Sequence, residues 1–232
     1  RIALKKFYLI TCPTKATLEY IRSLNIVSEN KIRLLYDPVI NVKNICYQKN
    51  VKKITQHSNY FLAAGRLTKQ KNFLFLCKAF KIIIKKYPNF KLLIAGDGED
   101  KKKLIDYIDK YKLKKNIFLI GHVDNIFPLM KNAEAFILSS LWEDPGFVII
   151  EAAFCRTPVF SSNCITGPKE IIKNNHNGFL FESDNIESFL DCFEILLKKK
   201  KNSEVLLNNL RYTKKFTLFN HYTAFKDLIT IA

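Results

Sequence analysis

The stretch YFLAAGRLTKQKNFLFLCKAFKIIIKKYPNFKLLIAG, Tyr60 to Gly96, holds the pattern that decides the fold. It opens with a short apolar run ending in glycine, Tyr60 to Gly65, the mark of a buried strand. Asn72 to Tyr87 follows with the length and periodicity of a helix, with Asn72 as a candidate N-cap and Pro88 just past its end. Phe90 to Gly96 is a second apolar run ending in glycine. Strand, helix, strand in this spacing reads as a parallel crossover unit.

The alternation continues outward from this unit. A helix is expected over Glu99 to Leu113, a strand over Asn116 to Gly121, and a short helix interrupted by Pro128 over Asn125 to Ala133. Strands are expected over Glu134 to Ser140, Thr157 to Ser162 and Asn177 to Ser183, with helices between them. Helices then fill Ile186 to Lys200, Ser203 to Lys215 and Asn220 to Thr230. The strands are near-continuous apolar runs, as burial on both faces requires. The fold class is therefore α/β, a doubly wound parallel Rossmann-like sheet. Ligands of such sheets sit beyond the carboxyl ends of the strands. That selects the loops Gly65–Lys71, Gly96–Asp100, Gly121–Asn125, Ser139–Gly146 and Ser161–Lys169.

The beginning of the chain stands apart. Phe7 to Ile26 reads as a strand leading into a helix, and Lys31 to Ile40 as an extended run entering a polar linker. With Arg1 in place of an initiating Met, the expectation is a fragment or processed piece of a longer protein.

Nearly half of the 232 residues are hydrophobic, enough for a sizeable core. The formal charge of +17 raises the question of nucleic acid or an anionic membrane. Its lysines are spread over many segments and accompany frequent Asn and Ile, so biased composition explains most of it; no nucleic-acid partner is expected. The six cysteines form no C-x-x-C and no zinc-like spacing with histidine. They fit a reduced, cytoplasmic protein without a bound metal. No apolar run has the length of a membrane span.

The chemistry gathers in SSLWEDPGFVIIEAAF, Ser139 to Phe154. Asp144 suits an N-cap and Pro145 the first helical position, which would place Gly146 second. A glycine costs a helix interior about 1 kcal/mol against alanine. In return it leaves the N–H groups of a helix start open to an anion, phosphate above all. Glu151 lies among apolar neighbours, and a buried carboxylate needs a partner: a salt bridge or a ligand hydroxyl pair. On one helix, Glu143 and Glu151 would stand roughly 10 Å apart along the axis. That is wider than the separation of about 5 Å in a retaining glycosidase. Arg66 and Lys71 would project from the end of the first strand, suited to phosphate.

Together these residues resemble the donor-binding domain of family 4 retaining glycosyltransferases of the two-Rossmann, GT-B type. The resemblance rests on Gly65-Arg66-Leu67 with Lys71, Gly96-Asp97-Gly98 and Gly121-His122-Val123. It continues through Ser139-Ser140 before Glu143-x7-Glu151, Pro158-Val159, Gly167-x-x-Glu170 and Asn177-Gly178. It implies that Arg66, Lys71 and Glu143 are catalytic. Arg66 and Lys71 would hold the donor diphosphate, and Glu143 would contact sugar hydroxyls. Gly65, Gly96, His122, Val123, Gly146, Phe147, Val148 and Glu151 would bind the rest of the donor, with Glu151 on the ribose and His122 and Val123 at the base. Asp144-Pro145 stands where many relatives have Gly-Phe, which bears on the sugar held there.

The resemblance also implies a domain plan. Residues 1–40 would be a remnant of an N-terminal acceptor-side domain with the start of a linker, and 41–58 the linker. Residues 59–202 would be the nucleotide-sugar domain, and 203–232 helices packing back toward the N-terminal domain. The implied reaction moves a hexose or N-acetylhexosamine from a nucleotide diphosphate sugar, UDP ahead of GDP, to a lipid-linked or cell-surface glycan. It needs no cofactor and no metal, and no D-x-D motif suggests one. The enzyme would work in the cytoplasm, peripheral on the anionic inner face of the membrane. The competing expectation is a non-catalytic nucleotide-sugar-binding subunit completed by a separate acceptor-domain chain.

Overall fold

The computed structural model describes residues 4, 6–41, 59–164, 166–200 and 202–230. Two sheets are present. Strand β1 (Ile10–Cys12), helix α1 (Lys15–Ser23) and strand β2 (Ile32–Leu34) form a small parallel unit. The larger unit runs β3 (Tyr60–Ala64), α2 (Phe73–Lys86), β4 (Lys91–Ala95), α3 (Lys101–Lys110) and β5 (Ile117–Gly121). It continues α4 (Phe127–Asn132), β6 (Ala135–Leu138), α5 (Phe147–Phe154), β7 (Val159–Ser162), α6 (Pro168–Ile171) and β8 (Phe179–Phe181). Helices α7 (Ile186–Lys199), α8 (Ser203–Thr213) and α9 (Leu218–Thr230) close it.

The six-stranded sheet is parallel throughout, in the order β5-β4-β3-β6-β7-β8. From β3 the chain winds outward to β5, then crosses back to lay β6 on the other side of β3. This is the doubly wound Rossmann-like arrangement, and the direction reverses between β3 and β6. Side chains alternate as a strand demands. Phe61 and Ala63 of β3 enter a core under α2 and α7, where Phe80, Phe160, Phe181, Phe189 and Phe193 also pack. Tyr60, Leu62 and Ala64 face the opposite core, with Ile149, Ile150, Ala152 and Ala153 of α5.

Several boundaries differ from the sequence expectation. Asn72 precedes α2 in a left-handed conformation, φ 52°, and does not cap it. Its side-chain amide instead donates to Asp184 Oδ1 at 2.9 Å. Pro128 opens α4 within its first turn rather than interrupting it, since a first-turn residue needs no N–H of its own. Helix α8 ends at Thr213, and a single 3-10 turn follows over Lys214–Phe216. The expected linker lies, apart from Asn41, outside the described residues. So does Cys46; the other five cysteines are free thiols.

The two units meet at the chain's end. Ile40 N–H donates to Phe216 O at 2.9 Å, and Leu218 N–H to Ile40 O at 3.1 Å. His221 Nδ1 lies 2.7 Å from Tyr36 O; a carbonyl only accepts, so Nδ1 carries the proton. Helix α9 buries none of its residues and exposes Leu218, Tyr222, Phe225 and Ile229 along one stripe.

Candidate functional site

The reversal between β3 and β6 brings the loops after them face to face. The β3 loop and the β6 loop are stitched: Leu141 N–H donates to Gln70 O at 2.8 Å, and Gln70 Nε2 to Trp142 O at 2.9 Å. Ser139 Oγ donates to Lys71 O at 2.7 Å. The β4 loop joins through Leu67 N–H to Asp97 O at 2.9 Å. Gly96 approaches Gly65 so closely that a Cβ would sit 2.0 Å from the Gly65 carbonyl oxygen. No side chain other than hydrogen fits there.

A cleft of about 620 Å³ opens between these loops, in the range of small-molecule sites. Every residue singled out from the sequence lines it: Gly65, Arg66, Lys71, Gly96, His122, Val123, Glu143, Gly146, Phe147, Val148 and Glu151. Asp97 and Asp144, quoted with the motifs but given no contact of their own, line it as well, and so does Ile126, which the sequence did not single out. The β7 loop, Ser161–Lys169, does not reach the cleft. Ser162 Oγ instead donates to Ser140 O at 2.6 Å, supporting the β6 loop from behind.

Glu143 does not lie on the helix. It sits in the preceding loop and is 5% exposed, and its Oε1 is 2.5 Å from Lys71 Nζ. Ser140 Oγ donates to the same oxygen at 2.5 Å. Among the described residues Glu143 Oε2 has no protein partner. Lys71 is also pinned from behind: a Cβ at Gly65 would lie 3.0 Å from its Cε. Lys71, Ser140 and Glu143 therefore satisfy one another. Arg66 differs: it is exposed and forms no ion pair among the described residues.

Helix α5 starts at Phe147, two residues later than capping rules suggest. Gly146 is its N-cap, left-handed at φ 87°, ψ 59°. Asp144 does not cap, and the Asp144–Pro145 bond is cis. The glycine is thus required by backbone conformation. The first bond of the turn runs from Ile149 N–H to Gly146 O at 3.2 Å. The amides of Phe147 and Val148 precede it and belong to the unsatisfied donors of a helix start, where anions are favoured.

Glu151 is half-buried about one turn further on and has no ion pair or side-chain hydrogen bond among the described residues. Burial raises its pKa above the ordinary carboxylate value. Cys155 lies close enough to feel it: burial first, then the Glu151 charge, pushes its thiol up to about 12. His122 and Asp124 sit exposed at the rim, Nε2 to Oδ1 3.5 Å. Two further quoted residues have structural roles. Buried Asn177 donates to Ile171 O at 2.9 Å and accepts from Lys173 N–H at 2.6 Å. Glu170 binds two backbone amides of α1.

A Rossmann-like sheet with a basic and acidic cleft at its reversal point, and a bare helix start in the cleft wall, places this cleft where doubly wound sheets hold their ligands. The family is shown by comparison. The profile described as "Glycosyl transferases group 1" matches residues 47–213, and the chain belongs to that family.

An uncharacterized glycosyltransferase of Methanocaldococcus jannaschii is 37% identical over 180 residues, 74% of this chain and 44% of its own. The Escherichia coli UDP-Gal:alpha-D-GlcNAc-diphosphoundecaprenol alpha-1,3-galactosyltransferase is 31% identical over 83% of this chain and 50% of its own. The chain thus spans about half the length of these relatives. Among solved structures, the pneumococcal O-GlcNAc transferase GtfA with UDP and GlcNAc superposes at a TM-score of 0.80 and 18% identity. It covers 98% of this chain and 46% of its own. Anabaena HepE with UDP-glucose gives a TM-score of 0.80 at 17% identity, covering 98% and 65%. At these identities the structures show a shared fold, that of GT-B glycosyltransferases.

Proposed function

We propose that this chain is the donor-binding half of a retaining glycosyltransferase that uses a nucleoside diphosphate sugar, with UDP as the carrier. The observation that carries the reading is one cleft lined both by a half-buried carboxylate, Glu151, with no ion pair or side-chain hydrogen bond among the described residues, and by the Lys71–Glu143 pair. A carboxylate without a protein partner suits the two hydroxyls of a ribose. Arg66, Lys71 and the amides at the start of α5 would take the diphosphate. They would neutralise the charge that grows on it as the sugar leaves. Glu143, with Oε2 open, would hold hydroxyls of the departing sugar, and Lys71 would be shared between Glu143 and phosphate.

The names of relatives support the substrate class. The Escherichia coli relative carries UDP-Gal and a diphosphoundecaprenol acceptor in its name. A Campylobacter jejuni relative, 28% identical over 89% of this chain, is a diphospho-undecaprenol N-acetylgalactosaminyltransferase. They are the support for a hexose or N-acetylhexosamine delivered to a lipid-linked or surface glycan. Among the described residues no helix is long and apolar enough to cross a membrane. The excess of lysine and arginine would hold the enzyme against an anionic inner leaflet. Turnover would need an acceptor-side domain facing this cleft, with α9 packing on it.

Calorimetric titration of the chain with UDP, GDP and ADP tests the reading. UDP is expected to bind most tightly. Equal affinity for all three would overturn the choice of UDP, and no binding would overturn the site.

A further inference from the structure

The first turn of α1 is held from outside its own unit. Lys15 N–H donates to Glu170 Oε2 at 2.9 Å, and Ala16 N–H to Glu170 Oε1 at 2.8 Å. These amides have no acceptor within the helix. A carboxylate placed there meets two orphan donors and the positive end of the helix dipole. Thr14 caps the same turn by accepting from Thr17 N–H at 3.0 Å. The Thr17 hydroxyl in turn lies 3.5 Å from both carboxylate oxygens of Asp144. Asp144 follows Glu143 and lines the donor cleft.

Glu170 is tied to that same loop by a second route. It sits on α6, whose N-cap is Gly167. A Cβ at Gly167 would lie 2.1 Å from the Pro145 carbonyl oxygen, so the two backbones touch. The next residue, Gly146, starts α5. The loop from Glu143 to Phe147 therefore reaches α1 twice: directly through Asp144, and through Gly167 and Glu170.

From this juxtaposition we infer that Glu170 is a positioning residue. It seats the first turn of α1 against the loop that carries Glu143 and Gly146, so that donor binding and the seating of α1 are linked. The linkage rests on the donor reading above. A cap serving α1 alone would need neither the Asp144 contact nor the close approach of Gly167 to Pro145.

Glu170→Gln separates seating from packing. It keeps the size and shape of the side chain but offers one acceptor oxygen and sets an NH₂ group against the other backbone N–H. The test is hydrogen exchange at the Lys15 and Ala16 amides, followed by NMR on the whole chain with and without UDP, beside UDP titration. In Glu170→Gln the two amides are expected to exchange roughly tenfold faster. UDP affinity is expected to fall roughly fivefold, the low end of ordinary coupling between sites. In the wild type, UDP is expected to slow both amides. Unchanged exchange in the variant, or wild-type UDP affinity in it, overturns the proposal. UDP that binds the wild type without slowing the amides overturns the linkage and spares the donor reading. A wild type that binds no UDP brings down both.

Discussion

The Glu151 carboxylate is half-buried in the cleft wall without a side-chain partner among the described residues, and burial raises its pKa. A carboxylate whose folded pKa lies above its unfolded value adds stability only while it is protonated. That contribution is complete below the unfolded pKa and is lost as pH rises through the folded one. At neutral pH the ionised group is therefore a stability cost. Glu151→Gln should raise the melting temperature near pH 7 and leave it nearly unchanged near pH 4. UDP affinity should fall in the same variant, because the neutral amide is a weaker acceptor for two hydroxyls than a carboxylate. Melting curves at the two pH values, beside a UDP titration, check both parts. A variant less stable than wild type near pH 7 would show that Glu151 has a structural partner after all.

At the scale of elements, the start of α5 shows what local rules can and cannot read. Asp144-Pro145 satisfies every preference for an N-cap and first helical residue, yet the helix begins after Gly146. The deciding contact is with Gly167, far along the chain, whose backbone meets the Pro145 carbonyl. No local preference registers it. The glycine was legible as special, but the reason differs: its φ of 87° is left-handed. Gly146→Ala is expected to cost about 1–2 kcal/mol through that backbone conformation. The added Cβ itself would make only ordinary contacts, the nearest being Glu143 Cβ at 3.5 Å. Urea denaturation measures the loss; a stability unchanged by alanine would mean that α5 can start elsewhere. The same limit explains Asn72, which reads as a cap and is drawn off by Asp184.

At the scale of the molecule, the alternation of strands and helices was plain in the apolar runs from Tyr60 to Phe181. The strand order was not, because a run of apolar residues does not say which neighbour it will pair with. Yet that order makes the site: it sets the β3 and β6 loops side by side and turns scattered residues such as Lys71 and Glu143 into a buried pair. The Ser161–Lys169 loop, equally eligible by position, is turned to support the β6 loop: Ser162 Oγ donates to Ser140 O and Gly167 abuts the Pro145 carbonyl. The exposed stripe Leu218, Tyr222, Phe225 and Ile229 on α9 could be recognised only once burial was known. We propose that the acceptor-side domain covers it.

The central claim is that one cleft reads a ribose with Glu151 and a diphosphate with Arg66. Parallel calorimetric titrations of UDP and uridine into wild type, Glu151→Ala and Arg66→Ala test it most directly. Arg66 is exposed and forms no ion pair among the described residues, so its loss should leave the fold intact. The account predicts that Glu151→Ala weakens both ligands by roughly tenfold or more, and Arg66→Ala weakens UDP alone by a similar factor. Wild-type affinity for UDP in Glu151→Ala, or equal loss of uridine and UDP in Arg66→Ala, would contradict it.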